Sequence, residues 1–210
     1  MNSMFIGITE FDQDLGWCVD DDVSLEDAFS NTPCESTSCG VVQALRACWD
    51  GTPYVMTDSN IRTAVVAWFS DATAAEVTYG HISTWETGGV TDMSELFCAD
   101  YCSYSNSAAA SFNEDIGAWD TSGVTSMRGM FGFASSFNQN IGGWNVEQVT
   151  SMAQMFNSAS SFNQDIGGWN VENVRDMSYM FTSASSFSQN LNWCLGDDVN
   201  LDEALSLIHI

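Results

Sequence analysis

The sequence contains no lysine and only four arginines, set against 28 aspartates and glutamates, for a formal net charge of −24 over 210 residues. A chain so short of cations has no basic patch for a phosphate backbone, and its excess charge repels one, so nucleic-acid binding is excluded. The same imbalance argues against unaided docking on an anionic membrane surface. Long apolar runs are missing too. The longest strictly apolar stretch, Ala64 to Phe69, falls far short of a bilayer span, so no transmembrane segment is expected. Histidine is scarce, with only His81 and His209, and no zincin motif, nucleophile elbow, phosphate loop or dinucleotide fingerprint occurs. What the chain does have is a core composition, 45% hydrophobic and 12% aromatic, which rules out a disordered acidic tail. It also has seven cysteines, which lean towards an oxidising compartment.

The dominant feature is an internal repeat. Phe112, Phe137, Phe162 and Phe187 stand 25 residues apart, as do Trp119, Trp144 and Trp169, and Met127, Met152 and Met177. The pairs Met130-Phe131, Met155-Phe156 and Met180-Phe181 keep the same period, and residues 137–161 and 162–186 are identical at 18 of 25 positions. Ile82, Trp85, Val90, Met93 and Phe97 fit the same template, separated from the next unit by about nine extra residues around Cys98 and Cys102.

Within a unit, Trp144 and Val146 alternate with polar neighbours, as in a very short strand. Val149, Met152, Met155, Phe156 and Ala159 then recur at three- and four-residue spacing, the mark of one helical face, with Thr150 or Ser151 as a candidate cap. This pattern predicts an α/β solenoid, a leucine-rich-repeat-like right-handed superhelix of 25-residue strand–helix units. A lone unit cannot bury both of its faces, so the aromatic and Met stripes are core between stacked neighbours rather than a cofactor box.

The termini share the repeat. Met1, Met4, Phe5, Phe11, Trp17 and Cys18 align with Met177, Met180, Phe181, Phe187, Trp193 and Cys194 at one offset, so the chain is expected to begin in mid-repeat and to be a fragment. Residues 1–50 read as the closing end of a first array with a Cys-rich cap. Residues 51–81 read as a linker and capping helix, with Ile61, Val65, Trp68 and Phe69 on one face and Asp58 or Ser59 at its start. Residues 82–204 form the second array. Residues 205–210 break the register, resemble a translated sequencing-library transposon end, and read as a non-native tail.

Setting Cys194 aside as the counterpart of Cys18 leaves six disulfide candidates: Cys18, Cys34, Cys39, Cys48, Cys98 and Cys102. Proximity favours Cys98 with Cys102, while Cys18 has Cys34 or Cys39 as alternatives. A zinc reading is weak, because no second Cys pair lies nearby and His81 is isolated in a structural or merely exposed position. No cofactor is expected. Calcium is the one metal to weigh, at Asp20-Asp21-Asp22 and Asp197-Asp198, but both lack EF-hand spacing and read as solvated loops. Glu114-Asp115 suggests a glycosidase pair, yet the next units carry Gln139-Asn140 and Gln164-Asp165, so these are turn residues and no catalytic residue is assigned. If Trp144 and Val146 point inward, Asp120, Asn145, Glu147, Asn170 and Glu172 form an outward, ligand-facing ladder, with Gly142, Gly143, Gly167 and Gly168 keeping its neighbouring strip flat. The outward positions lack a regular Thr ladder, which argues against ice binding.

The units Phe137-Asn138-Gln139-Asn140-Ile141-Gly142-Gly143-Trp144-Asn145-Val146 and Val149-Thr150-Ser151-Met152, followed by Met155-Phe156, resemble the DUF285 repeat. It is also called the BspA-like leucine-rich-repeat surface protein repeat, here in a microalgal or environmental form. The resemblance implies an extracellular or cell-surface scaffold for adhesion or macromolecular recognition, with a protein or glycan partner. It supplies no catalytic residues. The alternative is a structural spacer of a longer surface protein, with binding or enzymatic activity in a missing domain.

Overall fold

The computed structural model describes residues 18–19, 31, 42–43 and 53–204. The chain divides into two compact units, Met1–Thr52 with Val77–Tyr79, and Pro53–Glu76 with Gly80–Ile210. In the first, β1 (Cys18–Val19) pairs in parallel with β2 (Val42–Gln43), placing Cys18 opposite Val42. The expected closing array, the Asp20-Asp21-Asp22 loop, Cys34, Cys39, Cys48 and the tail over 205–210 lie outside the described residues.

In the second, β3 (Val55–Thr57) pairs in parallel with β4 (Glu86–Gly89). Between them run α1 (Ile61–Ser70) and α2 (Ala72–Tyr79). Of the face read from the sequence, α1 buries Ile61, Val65 and Trp68, with Ala64 beside them, while Phe69 is half-buried. Its last turn meets the first repeat rings edge-on, Trp68 against Trp85 at 6.2 Å and Phe69 against Phe97 and Phe112 at 6.1 and 5.8 Å. Asp71 ends α1, its N–H donating to the Ala67 carbonyl, and starts α2, its carboxylate accepting from the Ala74 N–H. Gly80, at φ 72°, closes α2 where a side chain would be strained.

The repeats themselves overturn the α/β solenoid of strand–helix units. Among the described residues the only α-helices are α1 and α2, both ahead of the array, and the only strands are the two short parallel pairs. The 25-residue units contain turns, joined by isolated parallel bridges from Asp92 to Ser126, Ser151, Asp176 and Asn200. The reason lies in where the backbone N–H groups go. A helix would send them four residues back along its own chain. Here the N–H groups of Met127, Gly129, Phe131 and Phe133 donate to the carbonyls of Ser151, Ala153, Met155 and Asn157 in the next unit. Those of Met152, Gln154, Phe156 and Ser158 do the same one unit later. Gly129, Phe133, Gln154, Ser158, Tyr179 and Ser183 take left-handed φ values near 60°, so in each of these units two residues four apart reverse the chain's local twist. That reversal turns Met152, Met155, Phe156 and Ala159 to one side without a helix. Thr150 likewise caps nothing, since its N–H and hydroxyl both donate to the Thr125 carbonyl.

Packing follows the same unit-to-unit logic. Phe112, Phe137, Phe162 and Phe187 form one column with centroids 5.9–6.0 Å apart. Phe97, Phe131, Phe156 and Phe181 form a second column at 5.6–5.7 Å. The columns interleave, with 3.9 Å between Phe131 and Phe137 and between Phe156 and Phe162. From Trp119 onward the indole N–H reaches into the preceding unit: Trp119 to the Ile82 carbonyl, Trp144 to Ile116, Trp169 to Ile141 and Trp193 to Ile166. These indole N–H groups thus gain their partners from a stacked neighbour, whereas Trp85 in the first unit donates to the nearby Gly80 carbonyl.

At the first unit of this array two side chains take the places that a preceding unit's backbone fills further along. Thr125 and Thr150 each donate through N–H and hydroxyl to the preceding Thr carbonyl. At Thr91 the same two donors meet the Asp58 carboxylate, at 2.7 and 2.6 Å, and the Asp92 N–H joins them at 3.1 Å. Asp58 therefore starts the array and does not cap α1. On the carbonyl side, Arg62 Nη1 donates to the Ser94 carbonyl at 2.7 Å. Burial raises the Asp58 pKa, but the bonds from Thr91 and Asp92 and the nearby Arg62 outweigh it and hold the carboxyl below its ordinary value.

Two outcomes follow. Phe156→Ala, which empties a site between three rings, is expected to cost about 3–5 kcal/mol in urea unfolding, with Phe156→Leu costing less. Asp58→Ala is expected to cost on the order of 1 kcal/mol at neutral pH. Because the folded pKa is lowered, that contribution is fully present above the usual aspartate value and lost as pH falls through the folded one. Wild type and D58A should therefore converge in thermal stability in the acid limb.

Candidate functional site

The outward ladder is built by side chains that turn the backbone. The Asn145 and Asn170 amide oxygens accept from the N–H groups of Glu147 and Glu172 at 3.0 and 3.2 Å, and the Asp120 carboxylate accepts from the Ser122 N–H at 2.9 Å. Hydrogen bonds from Ser122 hold the Asp120 carboxyl below its ordinary pKa against a smaller desolvation effect. Asp120, Asn145, Glu147, Asn170 and Glu172 are all exposed, while Trp144 and Val146 are buried, as the alternation predicts. Adjacent units are tied at this level by buried threonines, with the Thr87 hydroxyl donating to the Asp120 carbonyl and the Thr121 hydroxyl to the Asn145 carbonyl.

A second row repeats the device. The side chains of Asp115, Asn140 and Asp165 accept from the N–H groups of Gly117, Gly142 and Gly167 at 3.0–3.1 Å, so Asp115 serves a turn. Those glycines are there for close approach: a Cβ on Gly142 would lie 2.5 Å from the Asp165 carbonyl oxygen. Gly143 and Gly168 differ, since a Cβ there would meet open space. A third row runs through amides. The N–H groups of Asn138, Asn163 and Ser188 donate to the side chains of Asn113, Asn138 and Asn163, and Gln139, Gln164 and Gln189 donate to the backbone carbonyls of the same three asparagines.

The nine-residue insertion is held by a disulfide between Cys98 and Cys102, whose Cα atoms lie 6.3 Å apart. Beneath it sits Glu95, a buried carboxylate the sequence analysis did not single out. It accepts from Arg128 Nη1 at 2.7 Å and from the Tyr104 N–H at 3.3 Å. Its left-handed φ of 59° marks it as the counterpart of Gly129, Gln154 and Tyr179, a register the repeat alignment alone could have supplied. Cys194 is exposed with a free thiol.

His81 shares a hydrogen bond with the Ser83 hydroxyl at 2.8 Å and stands edge-on to Trp68 at 5.1 Å. Asp198 lies 3.4 Å from Arg175 Nε, and among the described residues no three His, Cys, Asp or Glu side chains gather at metal-binding distance. The described chemistry is thus one of fixed turns and exposed polar rows. Asn145→Ala, which removes a turn-forming acceptor, is expected to lower urea-unfolding stability by about 1 kcal/mol, with Glu147→Ala close to neutral.

No helix among the described residues is long and apolar enough to cross a membrane. No curated protein and no solved structure matches the chain. A family model described as "Mycoplasma protein of unknown function, DUF285" matches residues 63–194, which takes in α1 from its third residue, the insertion and the run of Phe, Trp and Met units as far as Cys194. By that match the chain belongs to the DUF285 family.

Proposed function

We propose that this chain is a non-catalytic recognition scaffold of an extracellular or cell-surface protein, presenting its outward polar rows to a protein or glycan partner. The observation that carries the reading is the repetition of Asp120, Asn145 and Asn170 as exposed side chains fixed by the same turn in successive units, with the exposed Glu147 and Glu172 beside them. A regularly spaced surface held by a ring-stacked core meets a partner with little ordering cost. The Cys98–Cys102 disulfide supports an oxidising location.

One observation favours the spacer reading instead. The Asp120, Asn145 and Asn170 side-chain oxygens already serve the backbone, which is a sufficient structural reason for them. The two readings separate on a single variant with Asp120, Asn145, Glu147, Asn170 and Glu172 all changed to alanine. Beads coated with the wild-type chain are expected to adhere to cell surfaces and beads coated with the variant to lose that adhesion. Equal adhesion of the two would favour the spacer, and reduced thiols at Cys98 and Cys102 in the native cell would remove the surface assignment.

A further inference from the structure

The 25-residue pattern is broken by the insertion after Cys98, and that break makes a cleft. Where other units carry Gln154 and Tyr179, Asn157 and Thr182, and Ser158 and Ser183, this unit has Gly129, Gly132 and Phe133. The two glycines make room for the insertion. A Cβ on Gly132 would lie 3.2 Å from Cys98 Sγ, and one on Gly129 would lie 3.3 Å from Glu95 Cγ. The result is an open cleft of about 120 Å3 lined by Tyr101, Cys102, Gly129, Gly132, Phe133, Gln154 and Asn157. On one wall the Tyr101 ring, 86% exposed, leans on Phe133 with centroids 5.3 Å apart.

The polar groups of the cleft are preset. Gln154 Oε1 accepts from Arg128 Nη2 at 3.3 Å, and Asn157 Oδ1 accepts from the Ser158 hydroxyl at 2.9 Å. With both oxygens engaged, each amide presents its NH2 group as a donor beside an exposed aromatic face. The backbone offers little in competition. The N–H groups of Gly129, Phe133 and Gln154 are spent on the next unit, and those of Gly132 and Asn157 on turns. An extended peptide would need a free row of backbone groups, which these residues do not have.

We propose that this cleft binds a pyranose ring of a neutral oligosaccharide, stacked on Tyr101 and Phe133, with its hydroxyl oxygens accepting from Gln154 and Asn157. A ring's C–H face suits an aromatic side chain, while its hydroxyls need donors at the rim. The volume is well below the roughly 300–1,000 Å3 of an enclosed metabolite pocket, which suits one residue of a longer chain. The donors are amides, and the one cation close by, Arg128, is paired with Glu95 at 2.7 Å, in a chain of net charge −24, so an anionic sugar is disfavoured. The cleft uses different residues from the outward rows and stands whether or not those rows bind anything.

The test is calorimetric and NMR titration of the full chain with linear neutral malto-, cello-, manno- and chito-oligosaccharides. At least one series is expected to bind. Tyr101→Ala and the near-isosteric Asn157→Asp should each weaken it about tenfold or more, while Tyr101→Phe and the distant surface change Thr63→Ala leave it unaltered. Unchanged thermal melts would show that each variant is folded. No binding by any of the four series would overturn the proposal, and so would binding that survives Y101A and N157D. Loss of bead adhesion in the five-alanine variant with the cleft still binding sugar would separate this site from the outward rows.

Discussion

Everything in the array depends on backbone N–H groups that leave their own unit. In a helix or a hairpin a segment satisfies itself or its immediate neighbour in sequence. Here Met127 to Phe133 and Met152 to Ser158 place their alternate amides on carbonyls about 24 residues further along. A unit alone would leave those groups without protein partners, so local structure and stacking are one event. The rings follow from this. Once the backbones are held in register, Phe131, Phe156 and Phe181 can only lie over one another, and each interleaved Phe from the other column fills the remaining gap.

This coupling explains which glycines and which polar residues are fixed. Gly117, Gly142 and Gly167 sit where one backbone passes too close to the next for a Cβ. Asp115, Asn140 and Asp165 turn the chain just before them. Much of the negative charge lies on such turns, solvated and spent on backbone N–H groups, which is why a chain with so few cations tolerates it. Two of the described arginines are placed where a carboxylate or carbonyl needs them: Arg128 on Glu95, and Arg62 on Ser94 and Asp92.

The repeat, its period and its buried positions were legible in the sequence because aromatic and Met stripes record burial directly. Phe137, Trp144, Met152 and Ala159 are all buried, and α1 buries Ile61, Val65 and Trp68 of the stripe its spacing implied. The local conformation was not legible. Spacing of three and four residues reports which side chains share a side, and a pair of left-handed residues four apart produces that spacing as well as a helix does. Residues such as Gln154, Tyr179 and Ser158 carry no signature of a positive φ, since glycine occupies only Gly129 in that register. Asp58 and Glu95 were hidden for another reason. Their partners, Thr91 and Arg128, lie more than 30 residues away, and only the stacking brings them together. The outward positions of Asp120, Asn145 and Asn170 followed from simple alternation, but their role in shaping the turn did not.

The direction of the inter-unit bonds has an electrical consequence. In each full unit four amides point forward, as from Met127, Gly129, Phe131 and Phe133, and two point back, as from Thr125 and Ser136. Aligned peptide dipoles add. The stack therefore carries a macrodipole built from turns, growing with every unit and negative at its first one. At that end the Arg62 guanidinium rests on the Ser94 carbonyl, while the Asp58 carboxylate takes the Thr91 and Asp92 N–H groups, so each kind of unmatched backbone group there meets a side chain of opposite sign.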